Sequence, residues 1–254
     1  KADSIGIKMN KKVKRMGCSS FKDLLENQKI LVINSKGGCG KTTVASNLAS
    51  HFASHELSTA LLDFDPQGSS TRWLKLRSES NPTIYGSHVA DKKNTTGKTR
   101  SYLMSVPAET ERVIFDAPAR VSTEELNELI LQVDIIIIPV LPSSIDIHAV
   151  TRFIEELLIT GKVRQKGTRV GIVANRANKT TRTYRSLERF LKSLKLPFIT
   201  TLRDTQNYAH AAERGIGISE MWDKRTDNDK EQWEHLTRWL NSAHATQLVP
   251  QMAR

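Results

Sequence analysis

One nine-residue segment constrains this chain more than any other: Ser35-Lys36-Gly37-Gly38-Cys39-Gly40-Lys41-Thr42-Thr43, entered from the apolar run Ile30–Ile33 and left through a helical pattern at Thr43–Ser54. Glycines let a backbone wrap closely round a phosphate with its N–H groups pointing inward. A helix that starts at such a loop turns its positive end toward the same anion. Lys41 then places a charge on the β- and γ-phosphates, and the Thr42 hydroxyl is a magnesium ligand. A glycine-rich turn that merely joins strand to helix would account for the glycines but not for the Lys-Thr ending. The usual form of the loop has glycine where Ser35 stands; here a second lysine, Lys36, precedes the glycine pair.

The rest of the chain fits that beginning. After Lys29, short apolar runs alternate with helical stretches. The runs are Ile30–Ile33, Ala60–Leu62, Val113–Phe115, Ile135–Val140, Val170–Val173 and Phe198–Ile199. Most are β-branched and lack polar alternation, as strands covered on both faces do. The helical stretches are Thr43–Ser54, Ser122–Leu131, Asp146–Thr160, Thr183–Leu194, Asn207–Arg214 and a last one from about Asp229 to Ser242. Strand and helix in alternation predict an α/β fold, a doubly wound and mostly parallel sheet flanked by helices. The 254 residues suit one such domain, expected over 29–254. Residues 1–28, polar and basic with a short amphipathic piece at Phe21–Leu25, read as an arm on it. Residues 78–105, rich in Ser, Thr, Asn, Gly and Lys, read as mostly loop.

Charge narrows the partners. Lys and Arg exceed Asp and Glu by 11, a balance that points to a polyanion. The excess is local: between Lys162 and Lys195 eleven basic residues stand against the single acid Glu188. Arg182, Arg185, Arg189 and Lys192, spaced 3, 4 and 3 apart, form one stripe down a helix, with Lys179 just before it. Leu187, Phe190, Leu191 and Leu194 would pack on the opposite side. Like charges along a helix face are mutually destabilising, so the stripe points to non-specific contact with nucleic-acid phosphates; the alternative is a solvated basic face. The two cysteines, Cys18 and Cys39, have no metal-ligand spacing and support neither a disulfide scaffold nor a zinc site. The longest apolar run, Ile135–Leu141, is strand-length and contains Pro139, far short of the ~20 residues of a membrane helix. The expected setting is the cytoplasm.

Three motifs together carry a family resemblance. KGGCGKTT looks like the deviant Walker A loop of the ParA/MinD ATPases. Leu61-Leu62-Asp63-Phe64-Asp65-Pro66-Gln67-Gly68 resembles their first switch, and Val113-Ile114-Phe115-Asp116-Ala117-Pro118 their Walker B strand and second switch. The likeness runs from about Lys29 to Leu240 and is closest to the ParA type. Ala117-Pro118-Ala119-Arg120 departs from it, because the family often has two consecutive prolines there.

The resemblance implies ATP and Mg2+ as cofactors and a dimer that closes on two ATP molecules. It makes Lys36 the lysine that crosses to the partner's ATP, with Gly37, Gly38, Cys39, Gly40, Lys41, Thr42 and Thr43 around the phosphates. Asp65 would position the attacking water, and Asp63 and Asp116 would join Thr42 and Asp65 around the metal. Asn175, at a strand end, would contact adenine. An aspartate at the end of a strand can equally do no more than cap the next helix. The implied partners are non-specific DNA of the nucleoid, bound through Lys179, Arg182, Arg185, Arg189 and Lys192. A ParB-like or cargo-adaptor protein would stimulate slow hydrolysis, with no membrane involved. The expected task is positioning or segregating cargo in the nucleoid-associated cytoplasm.

Three other functions on this fold match the sequence less well. A MinD-like membrane ATPase needs a basic amphipathic C-terminal helix, whereas this chain ends with little charge and Pro250. An iron–sulfur carrier on the same fold needs cysteines beyond the nucleotide loops, and none follows Cys39. An ATP-dependent ligase for a small substrate would need neither the Asp-Pro-Gln-Gly segment nor the basic stripe.

Overall fold

The computed structural model describes residues 27–90, 105–159, 162–194 and 196–242. The arm at 1–28 therefore lies almost wholly outside the described residues, as do Lys195 and most of the polar segment before 105.

Seven strands form one parallel sheet: β1 (Gln28–Val32), β2 (Thr59–Asp63), β3 (Ile84–His88), β4 (Arg112–Asp116), β5 (Ile135–Val140), β6 (Arg169–Ala177) and β7 (Phe198–Arg203). Their order across the sheet is β3-β2-β4-β1-β5-β6-β7. Among the described residues eight helices accompany them: α1 (Lys41–Ser54), α2 (Ser69–Lys75), α3 (Thr123–Gln132), α4 (Ser144–Ile159), α5 (Lys162–Lys166), α6 (Arg182–Ser193), α7 (Asn207–Glu213) and α8 (Asp227–Asn241). Two single 3-10 turns, Ile218–Glu220 and Lys224–Thr226, join the last two helices.

Alternate residues of the central strands bury into two cores. Leu31, Leu62, Phe115, Ile136, Ile138 and Ile172 face α3 to α6. Ile30, Leu61, Ile114, Ile135, Ile137 and Val173 face α1, Trp73 of α2, and Trp233, Leu236 and Leu240 of α8. Burial on both faces is why these runs show no polar alternation.

Within 78–105, expected to be mostly loop, lies the strand β3, while residues 91–104 fall outside the described residues. Of its five residues only Ile84 and Ser87 are buried, so the strand has no apolar signature of its own. Parallel pairing with β2 from Thr59↔Ile84 to Asp63↔His88 holds it at the sheet edge. Gly86 lets α2 lie across that edge, because a methyl there would come within 2.5 Å of Leu74 Cδ1. The helices α2 and α5 were likewise not foreseen.

The basic segment divides by role. Arg169, in β6, lays its guanidinium 4.3 Å from the Trp239 ring centroid. It donates to the carbonyl oxygens of Trp239 at 2.7 Å, Ser242 at 3.1 Å and Leu240 at 3.4 Å, at the C-terminal end of α8, where carbonyls lack helical partners. This arginine is a helix cap, not part of a polyanion surface. Arg169→Ala is expected to cost about 2 kcal/mol of stability, in the range for hydrogen bonds to a charged group. Urea unfolding checks this, with DNA affinity expected to be unchanged.

Candidate nucleotide site

In an open parallel sheet, ligands gather at the carboxyl ends of the strands where the strand order reverses. Here that point is β1, flanked by β4 and β5. A cavity of about 510 Å³ opens there. Gly37, Gly38, Gly40, Lys41, Thr42, Thr43, Asp65 and Asn175 all line it.

The loop after β1 is held from behind. The buried Asn34 side chain donates to Pro139 O at 2.7 Å and accepts from Lys36 N at 3.0 Å. Gly38 and Gly40 adopt φ of +75° and +90°, the left-handed region where a side chain is strained. Gly40 is the N-terminal boundary residue of α1 and offers no side-chain cap, and the first turn of α1 holds no acid. Its unpaired N–H groups and positive dipole end therefore face the cavity, the arrangement that binds phosphate. Lys41, almost fully buried, donates from Nζ to Lys36 O at 3.0 Å, which folds its charge over the loop. The buried Cys39 thiol donates to the same carbonyl at 3.3 Å, and burial pushes its pKa up. It is a packing residue beneath the loop, not a nucleophile.

The aspartates separate into two kinds. Asp63 and Asp116 end β2 and β4 in register with each other, both buried. Asp63 accepts from Asp65 N at 3.1 Å through one oxygen, and from Thr71 N and Oγ1 at 2.8 and 2.9 Å through the other. It thereby caps the first turn of α2, the bland alternative for an aspartate at a strand end. Asp116 is different. Its Oδ2 accepts from Ser70 Oγ at 2.7 Å, while Oδ1 is buried without a hydrogen-bond partner. Burial drives its pKa up to about 7, against the lowering effect of the Ser70 and Thr42 hydroxyls. An all-oxygen set of a hydroxyl and a carboxylate with a spare oxygen fits a hard cation such as magnesium.

The raised pKa has a signed consequence. An unfolded aspartate ionises near pH 4, so the stability that protonated Asp116 confers is complete below that pH and is lost as pH rises through about 7. In metal-free buffer Asp116→Asn should therefore stabilise the fold at pH 8 and do almost nothing at pH 4. Urea unfolding at the two pH values, with a chelator present, measures the difference.

Asp65 lies at the cavity wall in the turn after β2. Its Oδ1 accepts from Gln67 N at 2.9 Å, and among the described residues Oδ2 has no hydrogen-bond partner. Asn175 reaches the loop from β6: Nδ2 donates to Cys39 O at 2.8 Å, and a methyl on Gly40 would sit 2.0 Å from it. Beyond Asn175 the β6–β7 register shifts. Arg176 there takes φ of +48°, a conformation a non-glycine residue keeps only under external constraint. Its guanidinium pairs with Asp204 at 3.6 Å across the cavity mouth. The far wall comes from Asp204, Thr205, Gln206 and Tyr208, around the start of α7. These residues carry no motif; their place at the cavity follows from the β7 end meeting β6. Lys36 is half-buried and not part of this wall.

The basic stripe stands on α6. Tyr184, Leu187 and Leu191 bury its inner face. Lys179, Arg182, Arg185, Arg189 and Lys192 are all exposed. Lys192 pairs with Glu188 at 3.1 Å. Among the described residues Arg182, Arg185 and Arg189 make no ion pair. Arg182 also opens a helix whose first turn holds no acid, where the dipole disfavours a cation. No helix among the described residues is long and apolar enough to cross a membrane.

Residues 30–218 match the model of the CobQ/CobB/MinD/ParA nucleotide binding domain family. Among curated proteins, the maintenance of carboxysome distribution protein A of Halothiobacillus neapolitanus is 27% identical over 197 residues, covering 76% of this chain and 87% of that protein. The chromosome partitioning protein ParA of Myxococcus xanthus is 44% identical over 64 residues, 25% of this chain and 23% of that protein. Among solved structures, a Cyanothece McdA variant in complex with ATP superposes with a TM-score of 0.66 at 16% identity, over 87% of this chain and 99% of that one. MinD of Aquifex aeolicus gives 0.60 at 16%, over 85% and 98%; both likenesses concern the fold.

Proposed function

The chain belongs to the CobQ/CobB/MinD/ParA nucleotide-binding family, among positioning ATPases, and from that premise we propose that it is an ATP-driven dimerising switch that holds non-specific DNA and releases it on hydrolysis. The observation that carries this reading is the path of β6. At its end Asn175 clamps the phosphate loop through Cys39 O. Seven residues later the same chain starts α6, with its three arginines that make no ion pair among the described residues. A change at the nucleotide thus has a short, stiff route to the basic stripe.

In this reading Lys41 and the loop N–H groups hold the β- and γ-phosphates. Thr42 would hold magnesium directly and Asp116 would support it from behind. Bound there, the metal supplies positive charge against the phosphate oxygens. Asp65 orients the attacking water with its free Oδ2. Phosphoryl transfer asks mainly for such positioning and charge. Lys36, off the wall of its own cavity, is the residue left to reach the nucleotide of a second subunit. Two stripes joined in one dimer bind a polymer far more tightly than either alone. An adaptor protein, ParB-like or cargo-borne, stimulates the slow hydrolysis.

Binding to random-sequence DNA with ATP, with ADP and without nucleotide tests the reading, with Lys41→Ala as a nucleotide-blind control. Retention with ATP alone supports it. Equal binding in all states defeats the switch, and ATP-dependent flotation with liposomes in place of DNA would put the MinD-like alternative in its stead.

A further inference from the structure

We propose that His88, on the edge strand β3, is a positioning residue for hydrolysis that fixes the Asp65 carboxylate; the inference rests on the reading of Asp65 as the group that orients water. The Asp65 backbone is held by three hydrogen bonds. Its N–H donates to Asp63 Oδ1 at 3.1 Å. Its carbonyl accepts from Gly68 N at 2.9 Å and from His88 Nε2 at 3.0 Å. Gly68 belongs to the turn itself, whereas Asp63, at the buried end of β2, and His88, on β3, hold the turn from the sheet. Among the described residues His88 is the side chain that reaches the Asp65 carbonyl.

A carbonyl oxygen can only accept, so Nε2 must carry a proton, which excludes the neutral form protonated on Nδ1 alone. The carbonyl's two lone pairs are then both filled. The ring lies beside the turn: Gly68 sits at φ +63°, and a methyl on it would meet His88 Cε1 at 3.4 Å. The strand that carries the ring is itself anchored: His88 pairs with Asp63 in the β2–β3 register, and Val89 N donates to Asp63 O at 2.8 Å.

The consequence concerns geometry and not binding. Asp65 Oδ1 is tied to Gln67 N, so the direction of Oδ2 follows from where the turn lies. Misplacement of a catalytic group by ~1 Å can cost up to about 100-fold in rate. Losing one of three backbone restraints should cost less, about tenfold. Nucleotide contacts of the phosphate loop would not change.

The test is ATP hydrolysis and fluorescent-nucleotide binding by the full chain as wild type, Asp65→Ala, His88→Leu, His88→Gln and the Asp65→Ala/His88→Leu double variant. His88→Leu should lower kcat about tenfold with KM for ATP within about twofold of wild type. His88→Gln, whose amide N–H sits near the place of Nε2, should recover most of the loss. In the Asp65→Ala background His88→Leu should have no further effect, since the two act as a unit. Wild-type kcat in His88→Leu beside an impaired Asp65→Ala overturns this inference alone, as does an equal further loss in the double variant. Wild-type turnover by Asp65→Ala would sink the reading of Asp65 and this inference with it. Should His88→Leu fail to fold, the 15N shifts of the wild-type imidazole decide: an Nδ1–H tautomer overturns the proposal and an Nε2–H tautomer with a normal His88→Gln upholds it.

Discussion

Replacing Asp65 by alanine is expected to slow ATP turnover by about 100-fold or more, the usual contribution of a positioned acid–base group. ATP affinity should stay within about threefold, less than 1 kcal/mol. The argument is one of separate duties. The phosphate contacts come from Lys41, the loop N–H groups and the start of α1. Asp65 adds none of these, and a carboxylate beside phosphate oxygens can only repel them. Asp65 instead lines the cavity with an Oδ2 that has no hydrogen-bond partner among the described residues. On the proposed reading the variant also locks the switch: with ATP it should form a dimer that persists, where wild type slowly releases. Phosphate release and sedimentation in the same samples measure both. Normal turnover would assign the water to another residue; lost ATP binding would make Asp65 part of the fold of the turn.

The phosphate loop was legible because its chemistry is local. Left-handed turns at Gly38 and Gly40, the lysine and the hydroxyl all fall within a few residues of one another. The central strands were legible for a related reason: burial on both faces leaves an unbroken apolar run. What escaped depends on partners far away in the chain. β3 exists by pairing with β2, not by its own composition. The hydrogen bonds that Asp63 accepts from Thr71, eight residues on, and from the Asp65 N–H depend on how α2 packs and have no mark in the sequence. Arg169 counts as one more positive charge in sequence, but in the fold it closes α8, seventy residues away. The wall formed around α7 by Thr205, Gln206 and Tyr208 has no motif because it exists only once the end of β7 meets β6 in the fold.

Charge removal on α6 should separate binding from stability in opposite directions. The triple variant Arg182→Ala/Arg185→Ala/Arg189→Ala leaves the buried face of Tyr184, Leu187 and Leu191 untouched. It deletes three exposed cations that have no ion-pair partner among the described residues. If each meets one phosphate, a dimer loses six contacts, and the slope of log affinity against log salt should flatten by roughly 5. ATP-dependent affinity for random DNA should fall by about 100-fold or more at low salt, with no change in sequence preference, since phosphate contacts carry none. Folding stability should hold or rise. Like charges three and four apart cost about 0.2–0.5 kcal/mol per pair, and alanine is the better helix former. ATP turnover without DNA should be unchanged, because α6 does not line the nucleotide cavity. A solvated face with no polyanion partner would give the same gain in stability and no loss of DNA, so fluorescence anisotropy across a salt series, run beside a thermal melt, decides between them.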